Sequence, residues 1–389
     1  MTFETLALIC AIGLLGPLLA VPSTWRIPVV VGELLGGLAV GASGAGWLDP
    51  GDETFSFLAE LGFAMTMFVV GTRVPIPEHG LKSALAVGAG RAALVGVAAA
   101  VGGIVLADVF DASHPAVFAV LMASSSAALA MPVLEDEGFE GPHLVPLLTQ
   151  IAVADVVCIL VLPLAIAPDR AAEAALGSVI VVAAGVVLFL VLRALEARGI
   201  WEAVHEESKE RRFAIELRIS LIVLTAVAAL AVATHVTVML AGFVCGLAIA
   251  AVGPPRRLAR QLFALADGFL GPVFFVWLGA SLDLSALVDE PGLIALGVCL
   301  GLGAIVTHLV VRLTGLPVPL TVLTAGQVGV PVAAATIGTQ TGELEGGLPA
   351  ALILGALITV AAVSVAARFL PAPPTATGAE NDATGRLDP

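Results

Sequence analysis

Apolar residues run along this chain in long, nearly unbroken stretches, and polar residues gather in the short gaps between them. A helix needs about 20 apolar residues to cross a hydrocarbon core, with a range near 17–25. Measured against that length, the pattern predicts thirteen spans. The first six lie near 3–20, 27–42, 55–73, 83–107, 114–134 and 144–167, and the other seven near 174–195, 213–234, 236–253, 262–280, 291–315, 317–340 and 348–371. Spans 8 and 9 almost touch, at Thr234-His235, so their division carries the least signal. A transmembrane barrel would show segments of about ten alternating residues; these runs are continuously apolar. The pattern predicts an all-α integral membrane protein.

Composition agrees. Hydrophobic residues make up 59% of the 389 and charged residues 12%, against about 25% charged in soluble domains. A soluble enzyme, a nucleic-acid binder and a disordered chain are excluded. The net charge of −14 does not mark an acidic binding surface, because many acids fall in loops, as in Glu135-Asp136-Glu137 and Glu206-Glu207. Cys10, Cys158, Cys245 and Cys299 lie within apolar runs and form no CxxC pair, so neither a disulfide framework nor a metal cluster is expected. His205-Glu206 begins like HExxH but lacks the second histidine. The first span follows Met-Thr-Phe-Glu without a basic leader and reads as a mature span.

Basic residues set the orientation. With the N-terminus outside, Arg26, Arg73, Lys82, Arg193, Arg198, Lys209, Arg211, Arg212, Arg256, Arg257, Arg260, Arg312, Arg368 and Arg386 fall inside. Only Arg170 falls outside, and Arg91 and Arg218 lie within spans, close enough to their inner ends to snorkel, with structural roles the favoured reading for both. The expectation is N-out and C-in, with a disordered cytoplasmic tail over 372–389 and no regulatory module.

An internal repeat is visible. Gly37-Leu38-Ala39-Val40 in span 2 matches Gly246-Leu247-Ala248-Ile249 in span 9, and Phe68-Val69-Val70-Gly71 in span 3 matches Val276-Trp277-Leu278-Gly279 in span 10. Seven spans separate each pair, and an odd separation reverses the crossing direction. The reading is an inverted repeat, 3–167 and 213–371, joined by a linker helix over 174–195 within a transporter domain of 1–371. Inverted repeats are characteristic of secondary transporters, whose sites lie beside interrupted helices. Matching interruptions are expected at Ser124-Ser125-Ser126 with Pro132 in span 5, and at Gly326-Gln327-Val328-Gly329-Val330-Pro331 in span 12. Small-residue packing between helices is the alternative at both places, as it is the preferred reading of the Gly32/Gly36 pair.

Asp155, in the middle of span 6, is the leading candidate for chemistry. A carboxylate at the bilayer centre costs about 2.5–3.5 kcal/mol on insertion scales, so such residues are usually functional. A group of this kind can exchange a proton for a metal ion; a polar contact between helices is the other reading. His308 in span 11 has two readings side by side. It is either a neutral imidazole bonded to a neighbouring helix or a titrating group that tunes pH dependence. Glu33 and Glu60 also fall in or near spans, Glu33 deep and Glu60 nearer the outer third of span 3.

Several segments together resemble the monovalent cation/proton antiporter superfamily, in its Kef-like and bacterial sodium/proton exchanger branch. These are Arg26 to Glu33, Leu58-Ala59-Glu60-Leu61-Gly62 with Met67 to Gly71, and Pro272 to Val276 with Leu278-Gly279-Ala280-Ser281-Leu282-Asp283, the last being the most specific. Their order and spacing run through nearly all of 3–371. The resemblance implies a 13-helix fold with crossed broken helices 5 and 12, a core moving against a dimerisation domain, a homodimer, and a bacterial plasma membrane. It implies that Asp155 matches the aspartate that binds cation and proton in turn. Ser124 to Ser126 and Gly326 to Pro331 match the two broken stretches.

The chain also departs from the family's pattern. Ala154 precedes Asp155 where electrogenic members carry a second acid; His308 stands where they place a lysine; Val328-Gly329-Val330 replaces an Arg-Gly-Glu-like triplet. Core charge is reduced nearly to one carboxylate. The expected function is one-for-one, electroneutral exchange of Na⁺ or K⁺ for a proton, with no further cofactor. Asp155 would bind either ion, while backbone near Ser124 and Gly326 and the hydroxyls of Ser124 to Ser126 complete the cation's shell. A transporter of the same fold carrying an organic anion or neutral solute, and a passive channel, are the alternatives. No catalytic triad, acid pair or metal cluster points to an enzyme.

Overall fold

The computed structural model describes residues 1–21, 29–72, 82–136, 138–199, 214–234, 236–253, 256–282, 284–344 and 346–370. Arg26 to Pro28, Arg73, His205-Glu206, Lys209, Arg211, Arg212, His235, Asp283 and the 372–389 tail with Arg386 lie outside the described residues.

All thirteen predicted spans are helical. Ten are long and apolar enough to cross a membrane by themselves, and Val29–Val40 and Val238–Ala250 are shorter apolar helices for spans 2 and 9. Span 5 is the remaining one, divided into Pro115–Ala123 and Ala127–Asp136. Helix is the physical solution here because hydrocarbon offers backbone groups no partner, so each segment must satisfy its own. Loop residues close the free ends. Asp52 Oδ1 accepts the N–H groups of Thr54 and Phe55, both at 3.0 Å, ahead of Glu53–Thr72. Gly342, at φ 72°, ends Gly329–Thr341 in the left-handed conformation a Cβ disfavours.

Two predicted boundaries shift. Span 10 begins earlier than 262, as Arg256–Leu265, and passes through a π-helical turn, Ala266–Leu270, before Gly271–Ser281. Pro132 lies inside the second half of span 5 rather than at its break. The chain interrupts instead where serine hydroxyls stand in for lost helical bonds: Ser124 Oγ donates to the Leu121 carbonyl at 2.9 Å.

The helices pack as two groups. Spans 4, 5, 6, 11, 12 and 13 contact one another extensively, and spans 2, 3, 9 and 10 form a second tight set, with span 1 against spans 2 and 10. Glycine lets the second set close up. A Cβ added at Gly37 would overlap the Val276 carbonyl, and one at Gly246 the Phe68 carbonyl. Likewise Gly71 sits against the Phe243 carbonyl and Gly279 against that of Leu34. Each contact has a counterpart 208 or 209 residues away in the chain, so span 2 meets span 10 just as span 9 meets span 3. Gly32 and Gly36 pack on Gly16 and Ile12 of span 1, the close-packing role expected of that pair.

Candidate functional site

The two broken helices meet in the first group. Span 5 breaks at Ser124–Ser126. Span 12 breaks between Val318–Thr324 and Gly329–Thr341. The second break therefore covers 325–328 and includes Gly326 and Gln327, whereas Gly329 and Pro331 already belong to the first turn of the restarted helix. Proline is tolerated there because first-turn N–H groups have no helical acceptor. Ser125 Oγ donates to the Thr324 carbonyl at 2.7 Å and ties one break to the other.

Span 6 (Leu144–Ile166) brings Asp155 to this crossing, only 4% exposed. Its carboxylate faces the backbone N–H of Ala127, the first residue of the restarted half of span 5. A helix N-terminus carries about half a positive charge, which favours an anion placed there. Among the described residues Asp155 has no ion pair, and no group of three or more His, Cys, Asp or Glu side chains assembles anywhere. A lone carboxylate, backed by a helix dipole and not by a basic side chain, is the charge at the crossing.

The opposite ends of the half-helices meet His308, which is fully buried. Its Nδ1 lies 2.9 Å from Thr324 Oγ1, and the ring sits beside the main chain of Met122 and Ser124. Thr324 donates its own proton to the Thr321 carbonyl at 2.8 Å, so its oxygen must accept from the imidazole. It accepts from Gln150 Nε2 as well, at 3.3 Å. This bonding assigns the Nδ1–H tautomer to His308 and leaves Nε2 without a partner among the described residues. Gln150 Oε1 and Gln327 Nε2 are likewise buried and unbonded. The neighbouring helix bonded to His308 is thus span 12.

The three serines differ. Ser124 and Ser125 commit their protons to carbonyls and keep lone pairs, which suits oxygens that coordinate a cation. Ser126 is buried at the head of the restarted helix, where its carbonyl accepts from Leu129 and Ala130. In span 12, the Gln327 N–H donates to Thr359 Oγ1 at 3.1 Å. Span 13 therefore offers a neutral hydroxyl to the break of span 12, where span 6 offers a carboxylate to the restarted half of span 5. A crevice of about 10 Å³ between Gln327 and Val30, Val31 and Leu34 of span 2 separates this region from the second helix group. That is room for roughly one water.

Sequence reasoning missed Gln150, Thr324 and Thr359, all at most barely exposed. Gln150 carried a usable signal, a large polar side chain within an apolar span; a single threonine carries almost none. Glu216, buried in the first turn of span 8, was missed too. Arg91 takes the structural role favoured for it. It is buried and donates from Nε to Thr314 Oγ1 at 2.8 Å and from Nη2 to the Thr314 carbonyl at 3.5 Å, closing the end of span 11. The negative end of that helix favours a cation placed there. Arg218 is exposed, Glu60 half-buried and Glu33 buried.

The family model described as sodium/hydrogen exchanger, transmembrane, matches residues 6–371. This chain belongs to the sodium/hydrogen exchanger family. It is accordingly a member of the monovalent cation/proton antiporter superfamily and a multi-pass integral membrane protein. The exchanger-family chain is 26% identical over 380 residues to the putative Na⁺/H⁺ antiporter YjbQ of Bacillus subtilis, covering 91% of this chain and 61% of that relative. It is 27% identical over 390 residues to the high-affinity Na⁺/H⁺ antiporter NhaS3 of Synechocystis, covering 86% of this chain and 82% of the relative. The chain thus spans about three-fifths of the first relative's length. Among solved structures, the sodium proton antiporter MjNhaP1 from Methanocaldococcus jannaschii superposes with a TM-score of 0.63 at 16% identity, covering 94% of this chain and 96% of the other. At that identity the likeness concerns the fold, and it is the 13-helix fold with two broken helices.

Proposed function

We propose that this chain exchanges one monovalent cation, Na⁺ or K⁺, for one proton. The observation that carries the reading is the solitary Asp155 carboxylate facing the Ala127 N–H at the helix crossing. One carboxylate changes occupancy by one charge, so binding a proton in one orientation and a cation in the other moves no net charge. Backbone oxygens at the two breaks and the lone pairs of Ser124 to Ser126 complete a hard-oxygen shell suited to alkali cations. Thr324 holds both breaks, Gln150 and His308 in one unit, so the crossing moves as a body. His308, at the half-helix ends, serves that unit as a buried neutral imidazole bonded to Thr324.

The helix grouping supports a core of spans 4–6 and 11–13 that rocks against the others in a homodimer. The reciprocal glycine contacts support the inverted repeat of 3–167 and 213–371. The fourteen-to-one division of basic residues supports N-terminus outside and C-terminus in the cytoplasm of a cell membrane. The test uses proteoliposomes containing a pH-sensitive dye, with the membrane potential clamped. Pulses of Na⁺ or K⁺ should drive proton movement in the wild type and none in Asp155→Asn; full exchange in the variant would refute the assignment.

A further inference from the structure

Span 10 begins with a basic helix before its apolar stretch. That helix, Arg256–Leu265, packs on spans 3 and 8. Leu262, and Ala266 at the start of the π-helical turn, are on the buried side. The other side is open: Arg260 and Ala264 are exposed, and Phe263 is 46% exposed. These positions lie three or four residues apart and so form one stripe along the helix. Arg256 and Arg257 precede Arg260 by four and three residues, which continues the stripe by one turn. No acid occurs between Arg256 and Leu265. No hydrogen bond or ion pair holds Arg260 among the described residues.

The depth of this stripe suits a lipid. The apolar stretch Arg260–Ser281 has 22 residues. At 1.5 Å per residue that is about 33 Å, close to the roughly 30 Å of a hydrocarbon core. Arg260 therefore stands at one edge of the hydrocarbon. Arg256 and Arg257 lie one turn, about 5 Å, beyond that edge, at the level of the headgroups. Phe263 lies about 5 Å on the inner side of it, at the level of the acyl chains. Guanidinium groups match phosphate oxygens in geometry as well as in charge. A basic helix face with an aromatic residue below it is a pattern of membrane-surface binding.

We infer that this face of span 10 binds the phosphate headgroups of anionic phospholipids, with Phe263 against their chains. A protein partner arriving through water would reach the arginines but not Phe263, which lies below the membrane surface. The lipid is held by the group of spans 2, 3, 9 and 10 and not by the crossing. The inference does not depend on which ion Asp155 carries or on which side of the membrane is cytoplasmic.

The test uses the full chain, purified and delipidated in detergent. Thermal unfolding is followed against phosphatidylglycerol, phosphatidylcholine with the same chains, and inorganic phosphate, at fixed ionic strength. Phosphatidylglycerol should raise Tm saturably, and the other two should not. Replacing one arginine by glutamine should weaken the apparent affinity about fivefold, the contribution of one basic residue at an anionic lipid surface. Arg256→Gln, Arg257→Gln and Arg260→Gln together should weaken it on the order of a hundredfold. Phe263→Ser should weaken it as well. Arg193→Gln with Arg198→Gln, two exposed arginines at the end of span 7, should leave it unchanged. If the triple glutamine variant does not fold, the triple lysine variant should keep the response and Arg260→Gln alone should weaken it. No saturable response to phosphatidylglycerol overturns the proposal, as does an equal response to phosphatidylcholine or to phosphate alone. An equal loss in the Arg193 and Arg198 variant also overturns it, since any basic residues would then serve.

Discussion

Replacing Thr324 by valine removes one oxygen and almost no volume, so it isolates the polar bonds at the crossing. The lost oxygen accepts from His308 Nδ1 at 2.9 Å and from Gln150 Nε2 at 3.3 Å. The first is a bond of ordinary length and the second a long one. In soluble interiors a stranded buried donor costs about 1–3 kcal/mol. Inside membrane bundles, side-chain hydrogen bonds average about 0.6 kcal/mol and reach about 1.7. Taking the upper membrane value for the short bond and the mean for the long one gives about 2 kcal/mol, a factor of about 30 in the unfolding constant. Reversible unfolding of the purified protein measures this directly. Thr324→Ser keeps the oxygen and should lose about 1 kcal/mol or less, for one methyl group. A Thr324→Val protein as stable as the wild type, with Thr324→Ser the weaker of the two, would refute the view that this hydroxyl ties the crossing together.

Other consequences follow the same physics. Gly71→Ala and Gly246→Ala each drive a Cβ into a facing carbonyl and should cost about 1–3 kcal/mol. Gly90→Ala, which has open space around it, should instead gain up to about 1 kcal/mol; the same unfolding assay compares all three. Ser125→Ala cuts the bond to the Thr324 carbonyl. Its exchange rate should fall while the apparent cation KM changes less than in Asp155→Glu, as initial rates in proteoliposomes would show. Protons and cations compete for the one carboxylate. Lowering the pH should therefore raise the apparent cation KM, by about tenfold per unit once Asp155 is mostly protonated, with the slope lost if a second group carries the proton.

Much of this was legible in the chain because the bilayer imposes a length. Continuous apolar runs fixed the spans to within a few residues, and Asp155 stood out because a charge there is expensive. The breaks were visible through Ser124 to Ser126 and Gly326 to Pro331, since small or polar residues in mid-span mark interrupted helices. Their limits were not: Gly329 and Pro331 proved compatible with a helix start, and Pro132 with a helix interior. Threonine concealed the rest. Thr324 and Thr359 are ordinary in a membrane helix, where a hydroxyl can bond its own preceding turn. Only the fold shows that one also accepts from spans 6 and 11 and the other from a broken-helix N–H. The structural role of Arg91 was legible from its position, but its partner Thr314, 223 residues away, was not.

The central claim is that a cation and a proton occupy Asp155 in turn. Proton release on cation binding tests it without transport. Weakly buffered, detergent-purified protein is titrated with NaCl or KCl near its working pH while free protons are counted. The account predicts that saturation releases protons, up to one per chain as Asp155 starts fully protonated, and that Asp155→Asn releases none. Cation binding with no proton release in the wild type, or the same release from the variant, would contradict it.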